Sequence, residues 1–106
     1  MENQTFIEKV AHAEIAATTK LELDLNDLRG RFGNNFNTLQ LTNTSATANI
    51  AIYLDGIEVA FITKNNGVWA FDWESGINYN MLAIENLNIA ALTAQDVKVF
   101  VGRTGA

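Results

Sequence analysis

The chain has 106 residues and a formal net charge of −5. A chain of this length forms one domain with one modest core. Its composition, 48% hydrophobic and 18% charged, is typical of globular and not of disordered proteins. Twelve acidic against seven basic residues argue against nucleic acid as a partner, because that binding needs clustered Lys and Arg. The absence of cysteine excludes disulfides and thiolate metal sites.

The chain carries no recognisable targeting or membrane segment. The first five residues, MENQT, include no basic region, and no long apolar region follows them, so no signal peptide is predicted. The longest apolar runs are about four residues, far short of the ~20 that a membrane-spanning helix needs. We therefore expect a protein that is made in a cytoplasm, is not secreted by a signal peptide and has no membrane partner.

Residues 5–17, TFIEKVAHAEIAA, are predicted to form a short helix or a strand-like arm. Their larger apolar residues lie near a helical stripe. A segment this short is marginal alone and must pack on the domain or on a neighbouring subunit. We expect residues 1–17 to act as an N-terminal arm, with contacts to a neighbouring subunit made by Phe6, Ile7, Val10 and Ile15.

From residue 18 onwards, apolar and polar residues alternate as they do in half-buried strands. Asp55-Gly56 lies between two alternating runs and predicts a tight hairpin, because a type I′ turn needs positive φ at both positions. A second turn is predicted at 65–67, a long loop at 28–37, a loop or short helical turn at 86–95, and a bulge within 77–85. The predicted strands are 21–25, 38–43, 49–54, 57–63, 68–73, 77–85 and 96–102.

Seven or eight strands at this spacing, without βαβ alternation, predict an all-β fold. We expect residues 18–106 to form one antiparallel β-sandwich of jelly-roll or similar type, and a small barrel stays open as an alternative. The sequence does not specify the order of the strands.

No group of residues has the composition of a catalytic or metal site. His12 is the only histidine, and the two serines, Ser45 and Ser75, lie in predicted turns, so no nucleophile and base are paired in sequence. Asp72 and Glu74 form a carboxylate pair that a small enzyme could use, but solvent-facing charge at a strand end is the favoured interpretation. We therefore expect no enzymatic activity, no cofactor and no metal.

Trp69, Phe71 and Trp73 alternate along one predicted strand and so share a face. Large rings in a row are typical of a small sandwich core. They are also typical of a platform that stacks sugar rings, and Tyr79 could lie beside it. Core packing is the favoured interpretation. The alternative is a carbohydrate-binding module whose glycan site contains Trp69, Trp73 and Tyr79.

Arg29 and Arg31 flank Gly30 in the predicted long loop. Arginine side chains bind carboxylates and phosphates through paired hydrogen bonds. Because the protein is acidic, we favour a contact with a partner protein over one with nucleic acid. The sequence therefore adds Arg29 and Arg31 to the candidate contact residues.

Three stretches resemble small structural proteins of tailed-bacteriophage virions: LQLTNTSATANIAIYLDGIEV, GVWAFDWESGINYNMLAIENLNIAAL and DVKVFVGRTG. Such proteins are Asn- and Thr-rich, cysteine-free β-sandwiches that serve as capsid decorations, head–tail components or spike bases. The resemblance covers about three-fifths of the chain and transfers no functional residue. It implies a non-enzymatic virion component made in the host cytoplasm. It also implies a homo-oligomer, with a trimer as the first expectation, that contacts other virion proteins.

Overall fold

A computed structural model describes residues 6–32, 36–72, 79–93 and 95–103. Within those residues the chain forms eight strands and one helix. The strands are β1 (Phe6–Val10), β2 (Lys20–Asp24), β3 (Thr38–Asn43), β4 (Ile50–Leu54), β5 (Ile57–Ile62), β6 (Gly67–Asp72), β7 (Met81–Asn86) and β8 (Val97–Arg103). The helix, α1, spans Leu25–Phe32 between β2 and β3.

The strands form two four-stranded sheets, which we call sheet A (β1-β8-β3-β6) and sheet C (β2-β7-β4-β5). Every pairing is antiparallel, and β1 pairs with β8, β2 with β7, β3 with β6, and β4 with β5. The chain is thus a long hairpin ribbon whose successive strand pairs alternate between the sheets, which is the jelly-roll arrangement. The predicted antiparallel sandwich is confirmed.

The core lies between the two sheets and follows the alternation of the strands. Sheet A contributes Leu39 and Leu41, and sheet C contributes Ile52 and Ile84, all fully buried. In β8, Val97, Val99 and Val101 alternate along the strand and are all buried. Because one side of each strand faces this core, a shift of register by one residue would expose the whole row.

The turns confirm the sequence signals. Asp55 and Gly56 both have positive φ, as the hairpin between β4 and β5 requires. Asn65 and Asn66 also have positive φ, which asparagine tolerates, in the turn before β6. At Gly67 a Cβ atom would collide with the Thr63 carbonyl oxygen, so this turn needs a residue without a side chain.

Two local predictions were wrong. Residues 28–32 belong to α1 and not to a loop, because Asp24 Oδ1 accepts hydrogen bonds from the backbone N–H groups of Asn26 (2.9 Å) and Asp27 (3.4 Å) and so caps the helix. Leu25 and Leu28 then bury one face of the helix. The bulge lies between β4 and β5, where the register shifts at Ile52/Tyr53, and not in β7.

The N-terminal segment takes the strand-like form and not the helical one. Strand β1 pairs with β8 at the edge of sheet A, and Ile15 forms an isolated bridge with Leu92. The 86–95 region contains no helix among its described residues. The segment before β2 is therefore fastened to the sandwich along both β8 and the β7–β8 loop.

Two buried asparagines hold the loops at the end of the sandwich where β3 and β7 finish. Asn43 Nδ2 donates to the Ala48 carbonyl (2.7 Å), and its Oδ1 accepts from the Ser45 N–H (3.1 Å). Asn86 Nδ2 donates to the carbonyls of Ala90 (2.9 Å) and Ile15 (3.2 Å). Both side chains are fully buried, so each replaces the water that these backbone groups would otherwise bind.

Candidate functional site

The largest group of exposed apolar side chains lies along β5 and β6. These two strands are the neighbouring edges of sheet C and sheet A, on one side of the sandwich. Ile57 is 68% exposed and Phe61 is 55% exposed. We call this surface the apolar edge, and its residues are Ile57, Val59 and Phe61 of β5 with Val68 and Phe71 of β6. The strand registers place these side chains on more than one face, because Ile57 lies opposite the buried Leu54 and Phe61 lies opposite Ala51. Exposed apolar side chains on edge strands favour association with another chain.

The opposite side of the sandwich is built differently. Strand β2 is an edge of sheet C and exposes Lys20, Glu22 and Asp24. Charged residues on an edge strand oppose pairing with another chain, because the pairing would bury them. Strand β5, in contrast, has Glu58 as its only charged residue. Among the described edge strands, β2 therefore carries charges that oppose the addition of another chain, whereas β5 carries little charge to oppose it.

The aromatic row of β6 divides between core and surface. Trp69 is half-buried and packs against the core, as predicted. Phe71 is 46% exposed, because β6 is an edge strand with no further strand to cover it among the described residues. The two rings lie 6.2 Å apart and are tilted by 44°. Tyr79 also packs against the core, and Trp73 lies outside the described residues.

The N-terminal contact residues do not form one surface. Val10 and Ile15 are only 2% and 1% exposed, and both pack in the core of their own chain. The structure therefore corrects their assignment, since side chains this buried cannot reach a neighbouring subunit. Phe6 and Ile7 belong to β1, and their side chains lie outside the described part of the structure. Arg29 and Arg31 belong to α1, and their side chains also lie outside it.

A half-open cavity of ≈ 230 Å³ lies beside His12, between the end of β1 and the β7–β8 loop. Lys9, Val10, Ala11 and Gln95 complete its lining. His12 Nε2 lies 2.6 Å from the Val97 carbonyl oxygen, and Nδ1 lies 2.8 Å from that of Ala13. Both ring nitrogens lie within hydrogen-bond distance of a backbone carbonyl, and a neutral ring donates to one of them. The shorter contact, to Val97, joins the N-terminal segment to β8.

Two carboxylates, Asp24 and Asp55, accept hydrogen bonds from the backbone. Asp24 caps α1. Asp55 Oδ1 accepts from the backbone N–H groups of Asn80 and Met81, both at 2.9 Å, which ties the hairpin to the start of β7. Asp72 ends β6, and Glu74 lies outside the described residues. Among the residues that the structure describes, no three His, Asp or Glu side chains are grouped to hold a metal ion.

A polar network covers the outer face of sheet C. The Tyr53 hydroxyl donates to Glu85 Oε1 at 2.7 Å, and Lys20 Nζ lies 3.8 Å from the centre of the Tyr53 ring. The hydrogen bond to Glu85, together with burial and nearby negative charge, raises the pKa of Tyr53 from 10.0 to about 12. This side chain therefore stays neutral and donating throughout the physiological range.

The stabilisation from the Tyr53 hydroxyl is expected to disappear at high pH. Because its pKa is raised on folding, the contribution is complete below pH 10 and is lost as the pH rises through about 12. In a spectrophotometric titration one tyrosine should ionise near 12, and Tyr53→Phe should remove that step. Tyr79→Phe is the matched control and should leave it in place. Ionisation of Tyr53 at its ordinary pKa would contradict the Glu85 hydrogen bond.

The eight strands among the described residues define the class of fold, an antiparallel jelly roll. Within that class, the chain resembles the crystal structure of the SPBc2 prophage-derived protein YomS, with a TM-score of 0.60 at 15% sequence identity. The alignment covers 96% of this chain and 97% of that one. At this identity the likeness establishes the fold alone. No protein-family model matches the sequence, and no curated protein matches it.

No helix among the described residues has the length and hydrophobicity to cross a membrane.

Proposed function

We propose that the chain is a non-enzymatic structural protein of a bacteriophage virion, a capsid decoration or another minor component that assembles as a homo-oligomer. The observation that carries the proposal is the likeness in fold, over nearly the whole length of both chains, to a protein named as prophage-derived. The jelly roll is an architecture that viral capsid proteins use, although fold alone does not determine function.

The apolar edge supports the assembly part of this proposal. A protein that works alone gains nothing from exposing five large apolar side chains on adjacent edge strands, since they promote association. A subunit of a particle gains a contact surface from them. The partners in this proposal are further copies of the chain and other virion proteins, and its location is the virion after synthesis in the host cytoplasm.

Carbohydrate binding is not favoured by the geometry around β6. A platform for sugars presents exposed ring faces on which pyranose rings stack. Trp69 packs against the core, and its ring is tilted by 44° from that of Phe71. Two rings in this arrangement do not present one flat surface.

The proposal is tested by purifying particles of a phage or induced prophage that carries this gene with an epitope tag. Density-gradient fractions are probed for the tag and analysed by mass spectrometry. We expect the protein to sediment with the particles in many copies and to remain bound after nuclease treatment. Recovery of the tagged protein only in the free fraction, with particles that lack it, would contradict the proposal.

A further inference from the structure

The four edges of the sandwich differ in the charges that they carry, and this difference indicates where another chain can add. In β2, every second residue is charged and exposed. In β5, the exposed residues other than Glu58 are Ile57, Val59 and Phe61. A strand that adds to β5 would cover apolar groups and pair backbone groups that have no strand beyond them among the described residues.

The charges at the two ends of β5 select the partner and its direction. Glu58 lies near the N-terminal end of β5, and Lys64 lies just beyond its C-terminal end. Parallel pairing of two β5 strands would set like charges together. Antiparallel pairing about Phe61, which lies three residues from each, brings Glu58 of one copy to the end of the strand where Lys64 of the second copy lies. The edge is therefore complementary to itself under two-fold symmetry.

The area available is that of a small interface. Pairing of the β5 strands covers the exposed apolar side chains of β5, Ile57, Val59 and Phe61, together with the paired backbone. Val68 and Phe71 belong to β6 in the other sheet and lie outside this pairing. Interfaces smaller than the standard ~800 Å² per partner are those of weak complexes. We therefore expect the dimer to form at high concentrations of the chain.

We propose that two copies of the chain associate through antiparallel pairing of their β5 strands, which joins their two C sheets into one eight-stranded sheet. Phe61 of each copy lies at the two-fold axis, where the two rings form a cross-strand pair. This proposal rests on the assembly part of the proposed function and replaces the expected trimer with a dimer. It also moves the contact from the N-terminal segment to the opposite side of the sandwich.

The first test is the mass of the purified chain in solution, by sedimentation or by light scattering after size exclusion, from about 1 μM to about 1 mM. We expect twice the chain mass of 11.7 kDa at the upper end of this range. Phe61→Lys should weaken the dimer at least tenfold, because it brings two ammonium groups together at the axis. Ile89→Lys is the control: Ile89 is 90% exposed in the loop after β7, a strand that β4 separates from β5, and its replacement should leave the dimer intact.

A charge reversal tests the direction of pairing without disturbing the fold. Glu58→Lys alone and Lys64→Glu alone should each weaken the dimer, because each sets like charges together across the axis. The double variant restores opposite charges and should recover the affinity of the original chain. A monomer throughout the range, or a dimer that none of these variants changes, would overturn the proposal and assign the apolar edge to another virion protein or to no partner.

The test of the dimer and the test of the virion role can fail independently. A chain that is incorporated into particles but stays monomeric, with Phe61→Lys incorporated equally well, refutes the dimer and leaves the virion role standing. A chain that forms the dimer but is absent from particles refutes the virion role and leaves the dimer standing.

Discussion

Replacement of Ile15 by alanine is expected to lower the free energy of unfolding by about 3 kcal/mol. Ile15 is 1% exposed, and its backbone N–H and carbonyl both bond to Leu92 at 2.9 Å. Truncation removes buried methyl groups and leaves a cavity that the two sheets cannot close. Urea unfolding followed by circular dichroism measures the change in the midpoint at constant slope.

The matched control for this prediction is Ile89→Ala, which removes the same atoms from a side chain that is 90% exposed. We expect Ile89→Ala to change the free energy of unfolding by less than about 0.5 kcal/mol. If Ile15→Ala were as mild as Ile89→Ala and dissociated an oligomer instead, then Ile15 would be a subunit contact, as its sequence pattern suggested. Deletion of residues 1–17 does not discriminate in this way, because it removes β1 and two core side chains together.

Asn86→Ala is expected to lower the free energy of unfolding by a similar amount, about 3 kcal/mol, for a different reason. The Asn86 amide donates to the carbonyls of Ala90 and Ile15, and its Oδ1 accepts from the Asn88 N–H at 2.9 Å. Alanine removes the bonds to the Ala90 carbonyl and the Asn88 N–H, whereas the Ile15 carbonyl keeps its bond from the Leu92 N–H. Part-buried backbone groups that lose a partner in this way destabilise the folded chain. The loop after β7 and the segment before β2 should loosen together, which amide hydrogen exchange at Ala90 and Leu92 would detect.

Asn88→Ala is the control for Asn86→Ala, since Asn88 Oδ1 accepts a single exposed bond from the Ile89 N–H at 2.9 Å. We expect Asn88→Ala to lower the free energy of unfolding by less than about 1 kcal/mol. Equal effects of the two substitutions would show that the buried amide is not the group that joins the two segments.

Local residue patterns determined most of the secondary structure. The Asp55-Gly56 turn, the alternation in β3, β4 and β8, and the absence of βαβ units all rest on steric and hydrophobic rules that act within a few residues. These rules gave a wrong prediction where a single side chain stabilised a structure that the neighbouring residues do not indicate. Asp24 caps a helix over residues that include Gly30 and that otherwise resemble a loop. The bulge in the β4–β5 pairing has no comparable sequence mark.

The candidate contact surface was less predictable than the fold. Alternation identifies which residues share a face of a strand, but not whether a neighbouring strand covers that face. The pattern of Val10 and Ile15 is that of an amphipathic arm, and the tertiary structure buries both through β8 and Leu92. The apolar residues of β5 alternate in sequence like those of a covered strand. The register shift in the β4–β5 pairing places Phe61 opposite Ala51 and Ile57 opposite Leu54, and no further strand lies beyond β5 among the described residues.

The sequence by itself determined the class of fold, the position of most strands and the absence of sulfur-based sites, because these depend on composition and on contacts close along the chain. Only the tertiary structure decided the strand order, since β1 meets β8 and β2 meets β7 across most of the chain length. Such pairings are stabilised by the shared core between the sheets and have no local signature. The order of strands in turn decided which apolar residues form the core and which remain exposed on β5 and β6.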